Sequence, residues 1–224
     1  GNVKFSDDYK FIVREGRGGR IWDHSGNEYV DYILGSGPMV VGHAHPNVLA
    51  AAEEAMRKGT TFFAENAYAV ELAERIVDAV PCAEQVRYTS SGTEATYYAL
   101  RVARAYRRRD KILKFEGGFH GMHDYSLMSL TPNGMVPFPA PDPSSAGIPR
   151  VIHETVLVAP FNDIATTAEI IERPHDDLAA VIVEPVQRVL APVPGFLEGL
   201  REITARCDIP LISGEDAAGF RMAN

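Results

Sequence analysis

From Gln85 onward the chain alternates short, nearly continuous apolar runs with stretches whose apolar residues recur at helical spacing, and this restricts the fold more than any other feature. QVRYTSS, KILKFEG, TVLVAPF, LAAVIVEPV and IPLIS read as strands. Between them, EATYYALRVARAYRR, Asp163 to Glu172 and Gly195 to Arg206 read as helices. Strands that are apolar on both faces and separated by helices predict a parallel sheet covered on both sides, an α/β architecture. Ligands of such a sheet collect at the carboxyl ends of its strands, where loops and helix N-termini converge.

Before Gln85 the pattern differs. GRIWDHSGNEYVDYI, Gly19 to Ile33, predicts a β-hairpin, because SGN is turn chemistry between β-prone residues. Pro46 to Lys58 and Ala69 to Val80 predict helices, the first with Pro at its start and Gly59 just past its end. The organisation expected is an N-terminal segment over residues 1–60, with hairpin and helix, and a larger α/β part over residues 61–224. Ser129 to Pro149 is rich in Pro, Gly and Ser and is long for a connection inside a domain, which marks it as functional or mobile.

At 224 residues and 46% hydrophobic, the chain can bury a substantial core. Its net charge of -8 supplies no footprint for nucleic acid. The one basic run, Arg107 to Arg109, ends a predicted helix, where cations complement the dipole. Cys82 and Cys207 lack disulfide-framework or metal-ligand spacing, so a reducing, cytoplasmic setting is expected and a metal is not. The opening GNVKFSDDYK is polar, and no stretch has the apolar length of a bilayer span, so neither a targeting segment nor a membrane partner is expected.

Three segments carry chemistry. Thr89 to Ala95, TSSGTEA, places hydroxyls and one glycine where a strand hands over to a helix. Backbone N–H groups there can face an anion, Ser91 and Thr93 can add donors, and Gly92 admits close approach; an ordinary helix cap has the same composition. Glu116 to Gly121, EGGFHG, would let Phe119 and His120 lie against a planar ligand, though a glycine-rich turn with a core phenylalanine reads the same way. In VEPVQR, Glu184 closes an otherwise buried strand, which makes it either a site carboxylate or a surface strand end.

In this order on successive βα units, the three segments resemble the class III pyridoxal-phosphate (PLP) aminotransferases, and among them the glutamate-1-semialdehyde aminomutase-like branch. WDHSGNEYVDY, GHAHP, KFEGGFHG, PGFLEGLR and the terminal GFR extend the resemblance over nearly the whole chain. It implies a PLP-dependent transferase of fold type I, with residues 61–224 an incomplete aspartate aminotransferase-like large domain. It also implies pyridoxal 5'-phosphate as cofactor, with Ser91, Gly92 and Thr93 on its phosphate, Phe119 stacked on its ring, and His120 and Glu184 in the surrounding polar shell. Ser36 and Gly37, in LGSGP, would approach the substrate. The implied reaction moves an amino group between an amino acid or amine and a keto acid or aldehyde, or within one molecule as in the aminomutase. The implied assembly is a homodimer.

Two departures stand out. The family carries Asp-Glu-Val before its GFR, the Asp pairing with the ring nitrogen, whereas SGEDAAGFR puts Gly214 at that position and Asp216 two residues on, on the same face of an extended strand. Asp216 is thus a candidate replacement. The family's Schiff-base lysine and C-terminal small domain lie beyond Asn224, so no catalytic lysine is assigned, and the chain is expected to be a truncated product or part of a longer polypeptide. The alternative reading is a non-catalytic PLP-domain fragment that binds a phosphate ligand or a partner without turnover. Arg14, Arg17 and Arg20 could hold a substrate carboxylate but read more simply as solvent-facing hairpin charges.

Overall fold

The computed structural model describes residues 10–131, 136–173, 176–216 and 218–221. Most of the opening polar segment and part of the expected 129–149 loop therefore lie outside the described residues. The chain forms two compact units, Gly1–Val86 and Arg87–Asn224. The second predicted helix groups with the N-terminal unit, so the units divide at a later point than residue 60.

In the N-terminal unit, β1 (Val13–Arg17), β2 (Arg20–Asp23) and β3 (Glu28–Val30) form an antiparallel sheet in sequence order. The expected hairpin is β2–β3. Its turn is held by Asp23, whose carboxylate accepts from the Asn27 amide at 2.8 Å and from the Tyr29 hydroxyl at 2.8 Å. Helices α1 (Pro46–Met56) and α2 (Ala67–Ala79) follow, and neither contains a buried residue. Arg14 and Arg20 pair with Glu15 and Glu28, in keeping with hairpin surface charges.

The C-terminal unit is the predicted α/β part. Its chain order is α3 (Gly92–Arg107), β4 (Lys111–Phe115), α4 (Arg150–His153), β5 (Val156–Ala159), α5 (Ile164–Glu172), β6 (Leu178–Val183), α6 (Phe196–Arg206) and β7 (Leu211–Ser213). The strands lie in the order β5-β4-β6-β7, all parallel. Every residue of β6 is buried, which explains its unbroken apolar sequence. Alternate side chains serve opposite faces: Ile112, Ala180 and Ile182 meet Leu100 and Ala103 of α3, while Leu113, Phe115 and Val181 meet Ile171 of α5 and Phe196 and Leu200 of α6. Each large side chain so buried contributes roughly 1.5–3 kcal/mol of transfer free energy.

One predicted strand does not form. Gln85–Ser91 has no ladder partner among the described residues, although its sequence is β-prone. A strand exists only by hydrogen bonding to a neighbour, and the segment is not seated on one. Arg87 and Thr89 instead line a cavity of about 440 Å³ with Tyr98, Val102, Pro210 and Ile212. The basic run is also more than a dipole cap. Arg107 donates to the carbonyls of Leu178 at 3.3 Å and Cys207 at 3.4 Å, pinning the end of α3 to the sheet.

Candidate functional site

The carboxyl ends of β4, β6 and β7 and the N-terminus of α3 belong to one unit, and each contributes part of the site. Helix α3 begins as its sequence prescribes. Ser91 is extended and its hydroxyl accepts from the Glu94 amide at 3.2 Å, while the Glu94 carboxylate accepts from the Ser90 amide at 2.7 Å. This reciprocal cap leaves the amides of Gly92 and Thr93 without a hydrogen-bond partner among the described residues. The Thr93 hydroxyl accepts from the Met122 amide at 3.1 Å. Accepting occupies lone pairs, so the Ser91 and Thr93 hydroxyl protons remain to be donated to an anion.

The loop after β4 is fastened to this helix start. Thr96, one turn into α3 and buried, directs its hydroxyl to the His120 carbonyl at 2.6 Å, with the Gly92 carbonyl at 3.0 Å and His123 Nε2 at 3.2 Å also in reach. Gly121 sits against Thr93 so closely that a Cβ there would lie 2.6 Å from Thr93 Cα. Below the loop, the fully buried Lys114 donates to the carbonyls of Ser126, at 2.8 Å, and Met128. Burial pushes its ammonium down to about 7, an effect opposed by Glu184. On the other side, Gln187 donates to the Glu116 carbonyl at 2.7 Å and Arg188 to the Gly117 carbonyl at 3.0 Å.

These fastenings set Phe119 and His120 apart. The Phe119 ring is 41% exposed, with the Arg188 guanidinium 5.8 Å from its centroid. The Phe119 amide donates to Glu184 at 2.8 Å, which ties the end of β6 to the loop. Burial raises the Glu184 carboxyl, against the lowering effect of that amide. His120, by contrast, is buried. It is 2% exposed, and neither ring nitrogen has a hydrogen-bond partner among the described residues. Burial holds it down to about 3, with Lys114 and His123 adding to the effect, so the imidazole is neutral at ordinary pH.

The end of β7 separates the two residues that the sequence had set as alternatives. Gly214 is beside His120: a Cβ on Gly214 would lie 3.4 Å from His120 Nδ1 and 3.5 Å from the Val183 carbonyl, ordinary contact distances. Asp216 is beside Gly92, at the start of α3, where its Oδ1 would stand 2.6 Å from a Cβ on that glycine. The exposed Ser36, and Gly37, lie in a turn of the N-terminal unit in which the Gly37 amide donates to the Ile33 carbonyl at 3.0 Å. Among the described residues no group of three His, Cys, Asp or Glu side chains is placed to hold a metal ion. No described helix is long and apolar enough to cross a membrane.

The family model of the class-III aminotransferases matches residues 4–223. The chain belongs to this family. It is 45% identical over 215 residues to glutamate-1-semialdehyde 2,1-aminomutase 2 of Geobacillus kaustophilus, covering 95% of this chain and 49% of that one. It is 44% identical over 224 residues to the glutamate-1-semialdehyde 2,1-aminomutase of Methanothermobacter thermautotrophicus, covering 99% and 52%. Among solved structures, an omega-transaminase from Sphaerobacter thermophilus superposes with TM-score 0.90 at 37% identity, covering 95% of this chain and 50% of that one. A glutamate-1-semialdehyde aminomutase from Pseudomonas aeruginosa superposes with TM-score 0.75 at 32% identity, covering 90% and 44%. The chain spans about half the length of the curated relatives it matches. Its parallel sheet is accordingly part of a PLP-dependent transferase of fold type I.

Pyridoxal phosphate is the cofactor of this aminotransferase family, and a solved transaminase 35% identical to this chain has it bound. The residues present fit such a group. The Gly92 and Thr93 amides, without partners among the described residues, and the Ser91 and Thr93 hydroxyls gather at the start of α3, Phe119 is exposed on the loop fastened there, and the buried His120 imidazole has no hydrogen-bond partner among the described residues. Thr96, Lys114, Gln187 and Arg188 were not singled out from sequence. Gln187 and Arg188 fall inside VEPVQR and so were within its signal, whereas a threonine inside a helix and a lysine inside a strand give none.

Proposed function

We propose that this chain is the cofactor-binding part of a PLP-dependent enzyme that transfers an amino group between an amino acid or amine and a keto acid or aldehyde, including transfer within one molecule. The observation that carries this reading is the convergence of the α3 N-terminus, the Phe119 loop and Glu184, joined by the Met122–Thr93 and Phe119–Glu184 hydrogen bonds. When bound, the cofactor supplies an electron sink for the carbon bearing the amino group. The protein's part is positional. The amides of Gly92 and Thr93, with the Ser91 and Thr93 hydroxyls, hold the phosphate at the positive end of α3. Phe119 offers its exposed face to the ring, and Glu184 fixes the Phe119 backbone. His120, neutral and buried, presents nitrogen and no charge toward Gly214. Ser36 and Gly37 are assigned to the substrate side, following the family motif.

The enzyme is further proposed to be cytoplasmic and homodimeric. Exposed apolar side chains of α1 and α2, among them Val48, Leu49, Val70 and Leu72, support a covering subunit. The reading of the chain as a non-catalytic fragment is not favoured by the family match. The test is cofactor retention. Phe119→Ala in the full-length polypeptide should weaken it about fivefold, as expected for loss of roughly 1 kcal/mol of ring stacking, and His120→Ala should do less. Cofactor absorbance after dialysis reads this out. Equal retention in wild type and Phe119→Ala would remove the stacking role.

A further inference from the structure

The Asp216 carboxylate rests on the first residue of α3, with Oδ1 2.6 Å from where a Gly92 Cβ would be. It accepts no hydrogen bond there among the described residues, although the Gly92 and Thr93 amides are free. An anion drawn to the positive end of a helix without being bonded to it is held only by the field. The side chain is exposed, the Gly219 amide donates to the Glu215 carbonyl across its turn, and among the described residues no hydrogen bond or ion pair holds the Asp216 carboxylate. A second carboxylate, Glu184, is near enough for Asp216 to oppose its ionisation.

We propose that Asp216 is a specificity-determining gate on this cradle: an intramolecular stand-in for the phosphate, whose carboxylate must swing off Gly92 before a phosphate monoester settles on the amides of Gly92 and Thr93. This rests on reading residues 91–93 as the phosphate site. The gate has two consequences. It weakens binding of any dianion at α3, because like charges repel at contact distance. It also favours ligands whose binding energy elsewhere, such as ring stacking on Phe119, offsets the expulsion of Asp216, so a free phosphate ion is rejected more strongly than a phosphorylated aromatic ring.

The experiment titrates the full chain with pyridoxal 5'-phosphate and, separately, with inorganic phosphate by calorimetry, in wild type, Asp216→Asn, Asp216→Ala and Glu215→Gln. Glu215→Gln removes the same charge one residue away, where the side chain is engaged by the Ser213 hydroxyl at 2.9 Å. Both Asp216 variants should bind inorganic phosphate about tenfold more tightly, and Glu215→Gln should stay within about threefold of wild type. Binding by the Asp216 variants that is no tighter than by Glu215→Gln overturns the gate. Weaker binding than wild type overturns it as well, and makes Asp216 a ligand instead. If inorganic phosphate tightens while pyridoxal phosphate binds to none of the proteins, the gate stands and the cofactor reading falls. If neither compound titrates in any variant, both fall.

Discussion

Substituting Gly121 by alanine tests how closely the Phe119 loop is seated on α3. Gly121 has φ +94, and an added Cβ would approach Thr93 Cα at 2.6 Å and Thr93 Oγ1 at 2.8 Å. Gly147 is the matching control, with φ +93 and nothing within 4 Å of its Cβ position. The conformational penalty of alanine at positive φ, about 1–2 kcal/mol, is common to both variants. Only Gly121→Ala adds an overlap with backbone that no rotamer can relieve, costing about 1–3 kcal/mol. Its loop must also lift from Thr93, loosening the Met122 amide bond by about 0.5–1.5 kcal/mol more. The expected difference between the variants is therefore about 1.5–4.5 kcal/mol, a large share of a total stability of roughly 5–15 kcal/mol. Urea unfolding followed by circular dichroism measures it, provided the m-values agree. Gly121→Ala should also lose pyridoxal phosphate on dialysis while Gly147→Ala retains it. Equal losses of stability in the two variants would refute the claim that contact with Thr93, and not backbone conformation, requires the glycine.

Thr96→Val, which keeps shape and removes the hydroxyl, should destabilise by about 1–3 kcal/mol by leaving the buried His120 carbonyl without its donor; a loss below about 0.5 kcal/mol in urea unfolding speaks against that bridge. His120 titrates near 6.5 in the unfolded chain and at about 3 in the fold, so the unfolded state takes the proton first as pH falls. Stability from this group is complete above about pH 6.5 and is lost toward pH 3, at up to about 1.4 kcal/mol per pH unit, and His120→Gln should flatten that slope. His123, pushed down to about 4 chiefly by burial, adds to the same window. A Cβ on Gly214 meets nothing closer than 3.4 Å, so Gly214→Asp should set a carboxylate near His120 Nδ1, which has no partner among the described residues. It should raise the His120 titration by about 1–3 pH units, as followed by imidazole NMR without cofactor, and an unchanged titration would place the new carboxylate elsewhere.

The α/β character and the alternation of helices with strands were legible because each depends on local rules. Continuous apolar runs need burial on both faces, Asn66, Ser91 and Asp163 cap helices by their own side chains, and Gly59 follows α1 at φ +116. The Gln85–Ser91 strand was misjudged for the complementary reason: β-propensity describes a residue's fitness for a sheet and carries no information about whether a neighbouring strand is there to pair with. Lys114 gave no signal in the sequence, being a lysine inside a largely apolar strand. Its role as a buried donor to the Ser126 and Met128 carbonyls exists only once the loop has folded over the α3 face of the sheet.

Gly214 and Asp216 mark the limit most clearly. The amino-acid sequence alone determined that the carboxylate is missing at one position and present two residues later, and that both follow the strand that became β7. It could not say what each would meet, since residues two apart share a face only while the backbone remains extended. Strand β7 ends at Ser213, and the chain then turns so that Gly214 faces His120 while Asp216 reaches Gly92 at the start of α3. Those neighbours lie some hundred residues earlier, brought there by parallel pairing of β6 with β7 and by packing of α3 on the sheet. Local sequence therefore specified the elements and their chemistry. Long-range pairing and close packing decided which imidazole was left without a partner and which helix end received a carboxylate.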